Sequence, residues 1–259
     1  MQPNSVKQNL MAGGSSIGTF MFEFHSAGIA RAAASTGAEF AIFDMEHTGW
    51  SVETIRTLCA TSHGTDMLPL VRVPATEYHF IARALDMGAQ GVMVPMVESV
   101  EQAEKLVQSA KYPPVGRRGS AFGIGHDDYT GGDVVEKMNS SNEHQLLIAQ
   151  IETANGLENV EGIAAVDGID VLWIGQSDLS ASIGIPGQFG HPDFVAAMDR
   201  VINACKDNGK IGGFMPTTLD LAEVVADKGF RMLAWSGDVW IYQAGLKAGI
   251  DSLREFTSK

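Results

Sequence analysis

The chain has 259 residues, the size of one α/β barrel or two small domains, and its 45% hydrophobic and 19% charged residues fit a globular, core-forming protein. Lys and Arg number 18 against 31 Asp and Glu, a net charge of −13 that excludes the basic face a nucleic-acid binder needs. No apolar run approaches the ~18 residues of a membrane span, Met1 to Met11 lack a signal-peptide pattern, and only two cysteines, Cys59 and Cys205, occur, so the expectation is reduced thiols and a cytoplasmic location.

In chain order, Ile17 to Phe22 reads as a first strand and Ser26 to Ser35 as a helix. Phe40 to Asp44 is a second strand, and Ser51 to Ala60 a helix with Ser51 as N-cap. Leu68 to Arg72 is a third strand, followed by a helix from Glu77 to Met87 that Gly88 closes. Gly91 to Val94 is a fourth strand, and Ser99 to Ala110 a helix opened by a capping box of Ser99 and Gln102. Tyr112 to Asn142 is rich in Gly, Pro and charge and reads as a long functional loop with a short helix at Asp133 to Asn139. The fifth strand, 145–151, precedes a helix near Gly156 to Ala164, and the sixth is 171–174. His191 to Asp207 is amphipathic, with Phe194, Val195, Met198, Val201, Ile202 and Cys205 on one face. Ile211 to Phe214, a helix from Thr217 to Asp227, Phe230 to Ala234 and a closing helix from Asp238 to Leu253 complete the chain.

Strict strand–helix alternation points to a parallel sheet, and eight repeats in one chain to a closed (β/α)8 barrel formed by residues 1–259 as one domain. A doubly wound open sheet is the alternative, weakened because no G-x-G-x-x-G follows the first strand.

Polar residues follow several of these strands, at the rim where this fold places its chemistry. They are Asp44, Glu46 and His47 after the second, Arg72 at the end of the third, Gln150 and Glu152 at the fifth, and Ser177 and Asp178 after the sixth. Glu152 and Asp178 lie 26 residues apart, one strand–helix–strand repeat, which makes them neighbouring rim carboxylates and a candidate site for a hard cation. The same residues also read structurally, Asp178 as the N-cap of a short helix at Leu179–Ser180 and Glu152 as a partner of Arg72. His47 is a candidate general base or a loop histidine bonded to Glu46. Arg72 suits a carboxylate or enolate oxygen, or else an ion pair with Glu46 or Glu152. Lys111 and Lys137 do not end apolar strands, so no Schiff-base lysine is indicated.

Six blocks resemble the HpcH/HpaI aldolase family: Phe43-Asp44-Met45-Glu46-His47, Pro69-Leu70-Val71-Arg72, Val94-Pro95-Met96-Val97, Tyr112 to Gly119, Gln150-Ile151-Glu152-Thr153 and Ile174 to Ser180. The likeness runs from about Ile17 to Ala248. It implies a (β/α)8 barrel with a domain-swapped C-terminal helix, assembled as a hexamer, a trimer of dimers. It implies a metal-dependent class II aldolase that cleaves a 4-hydroxy-2-oxo acid to pyruvate and an aldehyde. Glu152 and Asp178 match the ligands of Mg²⁺, Mn²⁺ or Co²⁺, and Arg72 the residue that stabilises the enolate. His47 matches the base, with Asp86 its dyad partner, and Gln150 an amide near the substrate. Backbone amides at Ser177 and Asp178 would hold the pyruvate carboxylate. Phe20 stands where those aldolases have Trp, Met215 where they have Leu, and Gln176-Ser177 where they have Pro-Ala; Ser120 to Gly132 departs from their Ala- and Arg-rich loop. These positions bear on the acceptor more than on the enolate. Relatives on this scaffold use the enolate differently, decarboxylating oxaloacetate or condensing it with acetyl-CoA, so an oxaloacetate-using synthase or decarboxylase is the alternative. A non-catalytic barrel binding an oxo acid is a third reading.

Overall fold

The computed structural model describes residues 3–258. Eight strands, β1 (Ser16–Met21), β2 (Phe40–Asp44), β3 (Leu68–Arg72), β4 (Gly91–Val94), β5 (Leu146–Ile151), β6 (Val171–Ile174), β7 (Ile211–Phe214) and β8 (Met232–Gly237), pair in parallel and in sequence order. β1 also pairs with β8, so the sheet closes. The helices are α1 (Ser5–Met11), α2 (Ile29–Ala34), α3 (Val52–Ser62), α4 (Tyr78–Asp86), α5 (Val100–Ala110), α6 (Val134–His144), α7 (Ala154–Glu158), α8 (Val160–Ala164), α9 (Gln176–Ser182), α10 (Pro192–Asp207), α11 (Leu219–Lys228) and α12 (Asp238–Thr257).

Side-chain alternation divides the core into two. Phe40 and Ile42, Leu68 and Leu70, Leu146 and Ile148, and Val171 and Trp173 point into the barrel. The residues between them, such as Ala41, Val71, Leu147 and Leu172, pack outward against the helices. A strand buried on both faces reads as an unbroken apolar run, which is why these strands were legible. Trp173 occupies the barrel interior because β7 offers it glycine: a Cβ on Gly213 would lie 2.2 Å from the indole.

Several elements differ from expectation: β8 runs Met232–Gly237 rather than Phe230–Ala234, and α6 continues to His144 rather than ending at Asn139. α1, unforeseen in the sequence, plugs the N-terminal end of the barrel with Val6 and Leu10. The Asn4 amide there donates to the Gln90 carbonyl at 3.1 Å, and Lys7 pairs with Asp170 at 2.9 Å. The region expected to be one helix near 156–164 divides at Asn159 into α7 and α8. The foreseen caps form: Ser51 accepts from Thr54 N and Ser99 from Gln102 N, although the Gln102 side chain reaches back to Glu98 N rather than to Ser99 N. Within the long 112–142 segment, Lys137 on α6 meets the buried Asp127 at 2.6 Å.

α12 does not pack along the barrel as the other helices do. It touches β1 and β8 near its start, and from Trp240 to Ser258 every residue except Asp251 is exposed. The outer wall of β1 and β8 is left open, with Ile17 46% and Trp235 37% exposed.

Candidate active site

The alternation that fills the barrel also builds its mouth. Continuing each inward register by two residues, and by four on β5, brings Asp44, Arg72, Gln150, Glu152 and Gly175 to the interior at the C-terminal ends of β2, β3, β5 and β6. Register places Asp44 directly beside Arg72. These side chains are buried, as inward positions near a barrel end must be.

Arg72 Nε donates to Asp44 Oδ1 at 2.5 Å, and Nη1 lies 2.9 Å from Glu46 Oε2. That second contact is an ion pair without hydrogen-bond alignment, and it leaves Glu46 Oε2 buried with no donor. Burial pushes the Glu46 carboxyl above its ordinary range, although Arg72 pulls it back. Asp44 also accepts from the backbone N–H groups of Glu46 and His47 at 3.2 and 2.8 Å. One carboxylate therefore fixes both the arginine and the loop that carries His47. On its other side the guanidinium lies 5.3 Å from the Phe20 ring centroid and 5.7 Å from that of Phe22.

Glu152 is held at both oxygens. Oε1 accepts from Met96 N at 2.7 Å, and Oε2 from the Gln150 amide. Met96 sits at φ 53°, in the left-handed region, in the turn that aims its N–H at the carboxylate. Gly175 makes room, since a Cβ there would lie 2.2 Å from Glu152 Oε2. Burial raises the Glu152 carboxyl to about 7, and the charges of Glu46 and Asp178 push the same way. Gln150 Oε1 is buried with no partner.

This donor set fits a hard divalent cation. It consists of oxygens, its carboxylates repel one another, and positive charge between them would relieve that repulsion. Among the described residues no three metal-type side chains surround one point, so Glu152 and Asp178 would leave the other coordination positions to substrate and water.

A cavity of about 330 Å³ opens over these groups, lined by Phe20, Arg72, Gln150, Ser177, Asp178 and Met215 among others. His47 also lines it; its side chain is 58% exposed, and Nε2 is 3.7 Å from Glu46 Oε2. Of the residues expected in the site, the structure thus brings together His47, Arg72, Gln150, Glu152, Ser177, Asp178, Phe20 and Met215 at one end of the barrel.

Asp86 is not among them. A barrel helix runs antiparallel to its strands, so the last residue of α4 lies at the opposite, N-terminal end. There Asp86 pairs with Arg118 at 2.6 Å. A His47–Asp86 dyad does not form within one chain. Of the structural alternatives, the ion pair of Arg72 with Glu46 forms and that with Glu152 does not, and Asp178 lies inside the first turn of α9 while Gly175 holds the N-cap position. The inward register of Asp44 beside Arg72 is the sequence signal for its part in holding both the guanidinium and the His47 loop. Met96, Trp173 and Trp240 were missed, and a non-glycine left-handed residue such as Met96 has no sequence signature.

Fold and site together define a barrel enzyme that gathers carboxylates, a guanidinium and an amide at its C-terminal mouth. Residues 18–243 match the family HpcH/HpaI aldolase/citrate lyase, and the chain belongs to that family. It is 35% identical over 91% of its length to the hydroxypyruvate/pyruvate aldolase of Roseobacter denitrificans, 91% of which is covered. The structure of an HpcH/HpaI aldolase from Desulfitobacterium hafniense superposes with a TM-score of 0.93 at 32% identity, covering 96% of each chain. A citrate synthase, SbnG, superposes with a TM-score of 0.87 at 27% identity, over 98% of this chain and 99% of that one. The protein is an enzyme of the carbon–carbon lyase class, an aldolase.

Proposed function

We propose that the enzyme cleaves a 4-hydroxy-2-oxo acid to pyruvate and an aldehyde, and runs the same step backwards as an aldol addition. The observation that carries this reading is the buried Arg72, fixed by Asp44 and Glu46 and lining one cavity with Asp178 and with Gln150, whose amide holds Glu152 and whose Oε1 has no partner. Cleavage leaves an electron pair on C3 of pyruvate, delocalised onto the C2 oxygen. A preorganised guanidinium in a water-poor site stabilises that oxyanion, with no reorganisation at the moment of reaction. His47 takes the C4 hydroxyl proton as the C3–C4 bond breaks and returns it in synthesis. The first-turn amides of α9 at Ser177 and Asp178 have no acceptor within the helix and suit the pyruvate carboxylate. Glu152 and Asp178 would hold Mg²⁺, Mn²⁺ or Co²⁺, which when bound supplies Lewis-acid charge to the oxo acid.

The bare wall of β1 and β8 and the exposed apolar residues of α12 support a homo-oligomer in which α12 crosses to a neighbour; a hexamer is the form proposed. In such an assembly a His47–Asp86 dyad joins two chains. No helix among the described residues is long and apolar enough to cross a membrane. Two free, buried cysteines support a cytoplasmic location.

The test is solvent deuterium exchange into the pyruvate methyl group, followed by NMR with Mn²⁺ and again with EDTA. The proposal expects exchange that chelation abolishes. No exchange in either condition overturns it. That outcome favours the oxaloacetate-using alternative, for which the citrate synthase likeness is the support, and citrate formation with acetyl-CoA would then be assayed; exchange that survives EDTA keeps the pyruvate enolate and removes the metal from its formation.

A further inference from the structure

The junction of β8 and α12 carries a buried carboxylate, Asp238, the first residue of α12. A carboxylate at the start of a helix ordinarily caps the N–H groups of that helix. Asp238 takes one of them, Val239 N at 2.8 Å, and turns to another segment for the rest. Its Oδ1 accepts from Phe22 N at 2.9 Å, and its Oδ2 from Glu23 N and Phe24 N at 3.0 and 2.7 Å. Three consecutive N–H groups just past β1 thus converge on one side chain, which fixes the path of the chain there. The Phe22 ring that this clamp places stacks on Phe20, 5.4 Å between centroids and 14° between planes, and meets Trp240 at 5.1 Å. Gly237 gives these rings room, since a Cβ there would lie 2.7 Å from Phe22 and 2.8 Å from Trp240. Phe20 and Phe22 are in turn the apolar side of the Arg72 guanidinium. All of these contacts lie within one chain and no further along α12 than its first turn, so a helix that crosses to a neighbour beyond that point keeps them.

Resting on the pyruvate reading, we infer that Asp238 is a positioning residue for enolate formation, acting on Arg72 through Phe22. It touches no reacting atom. When C3 of pyruvate gives its proton to base, the electron pair left behind is delocalised onto the C2 oxygen. The guanidinium stabilises that charge in full only if it is already aimed at it. Asp44 and Glu46 hold Nε and Nη1, and the aromatic pair holds the face. Without the clamp the 22–24 segment relaxes, Phe22 leaves Phe20, and the guanidinium gains freedom to tilt. The loss then falls on kcat rather than on KM, as for an interaction made chiefly in the transition state.

The experiment measures pyruvate methyl exchange in wild type, Asp238→Asn, Phe22→Leu, Arg72→Lys and the pairwise double variants. Asparagine keeps the shape of Asp238 but turns an NH2 donor on N–H groups that need an acceptor. The inference expects kcat to fall about tenfold in Asp238→Asn and in Phe22→Leu, with KM for pyruvate within about twofold of wild type. Added to Phe22→Leu or to Arg72→Lys, Asp238→Asn should cost no more than about twofold further. Impaired folding or assembly would lower the rate by the same factor in every background. Additive effects, an unchanged kcat in Asp238→Asn, or a loss confined to KM therefore overturn the inference. Should Asp238→Asn not fold, Phe22→Leu with Arg72→Lys decides: non-additive losses support the link from Phe22 to Arg72, and additive losses or full exchange in Phe22→Leu overturn it. Wild-type enzyme that exchanges no pyruvate overturns the pyruvate reading and not this inference. The same variants are then compared in the decarboxylation of oxaloacetate, where the C3–C4 pair left by departing CO2 forms the same enolate; absence of that activity as well overturns both.

Discussion

A buried guanidinium needs partners, and Arg72 meets Asp44 at Nε and Glu46 at Nη1 while its face stays against Phe20 and Phe22. This is a fork-shaped arrangement that a point charge cannot reproduce. Arg72→Lys keeps the positive charge but cannot reach Asp44 and Glu46 in the same geometry. We expect pyruvate methyl exchange to fall by about 10²-fold in that variant, with far-UV circular dichroism unchanged; near-normal exchange would remove Arg72 from the enolate step. A second prediction concerns space. Gly175→Ala would place a methyl 2.2 Å from Glu152 Oε2 and 2.7 Å from the Gln150 amide nitrogen, so both must move. Mn²⁺ affinity, read by calorimetry, should fall at least about tenfold, as when a group that orients a metal ligand is lost. Unchanged affinity would mean that Glu152 does not ligate the ion.

At the scale of elements, legibility followed burial. β2, β3, β4, β6 and β7 begin and end where the sequence placed them, because both of their faces are buried and apolar runs mark their length. α1 was not legible: it has only seven residues, and its buried Val6 and Leu10 acquire meaning only once the barrel has an open end to plug. Asp86 misled for a related reason. Its place at the end of a helix was correct, yet helix direction, not sequence proximity, decides which end of the barrel it reaches. The plug can be tested. Leu10 is fully buried, so Leu10→Ala should cost about 2–5 kcal/mol, seen as a lower urea midpoint. Beside the plug, burial draws the Lys111 ammonium down to about 8 from an ordinary 10.5. Below about pH 8 both folded and unfolded chains carry that proton, and between 8 and 10.5 the unfolded chain alone retains it. Stability from this group therefore rises with pH across that window, by about 1 kcal/mol per unit. The buried thiols Cys59 and Cys205, raised to about 12, act in the opposite sense above pH 9. The Lys111 contribution is read as a difference: wild type should gain on Lys111→Met as pH goes from 8 to 10, and parallel urea curves across that range would contradict it.

The whole molecule leaves a hydrophobic account open on one side. Helices cover the middle strands of the barrel, but α12 carries Leu246, Ile250, Leu253 and Phe256 exposed, and the wall of β1 and β8 shows Ile17. The two surfaces lie on one chain, so a second copy can bury both by exchanging α12. Net charge of −13 opposes such association, and only apolar burial of substantial area overcomes it. The proposed His47–Asp86 dyad also requires a neighbouring chain, because Asp86 lies at the end of its own barrel opposite the mouth, and the proposed hexamer would supply one. Light scattering after size exclusion should therefore give six times the chain mass. Leu253→Asp, at a position remote from the mouth, places a charge on the α12 strip and should shift the mass toward smaller species. If His47 takes its carboxylate partner from a neighbouring chain, aldol cleavage should fall in step with the loss of hexamer on dilution, while a mass equal to one chain with full activity would show that the mouth is complete by itself.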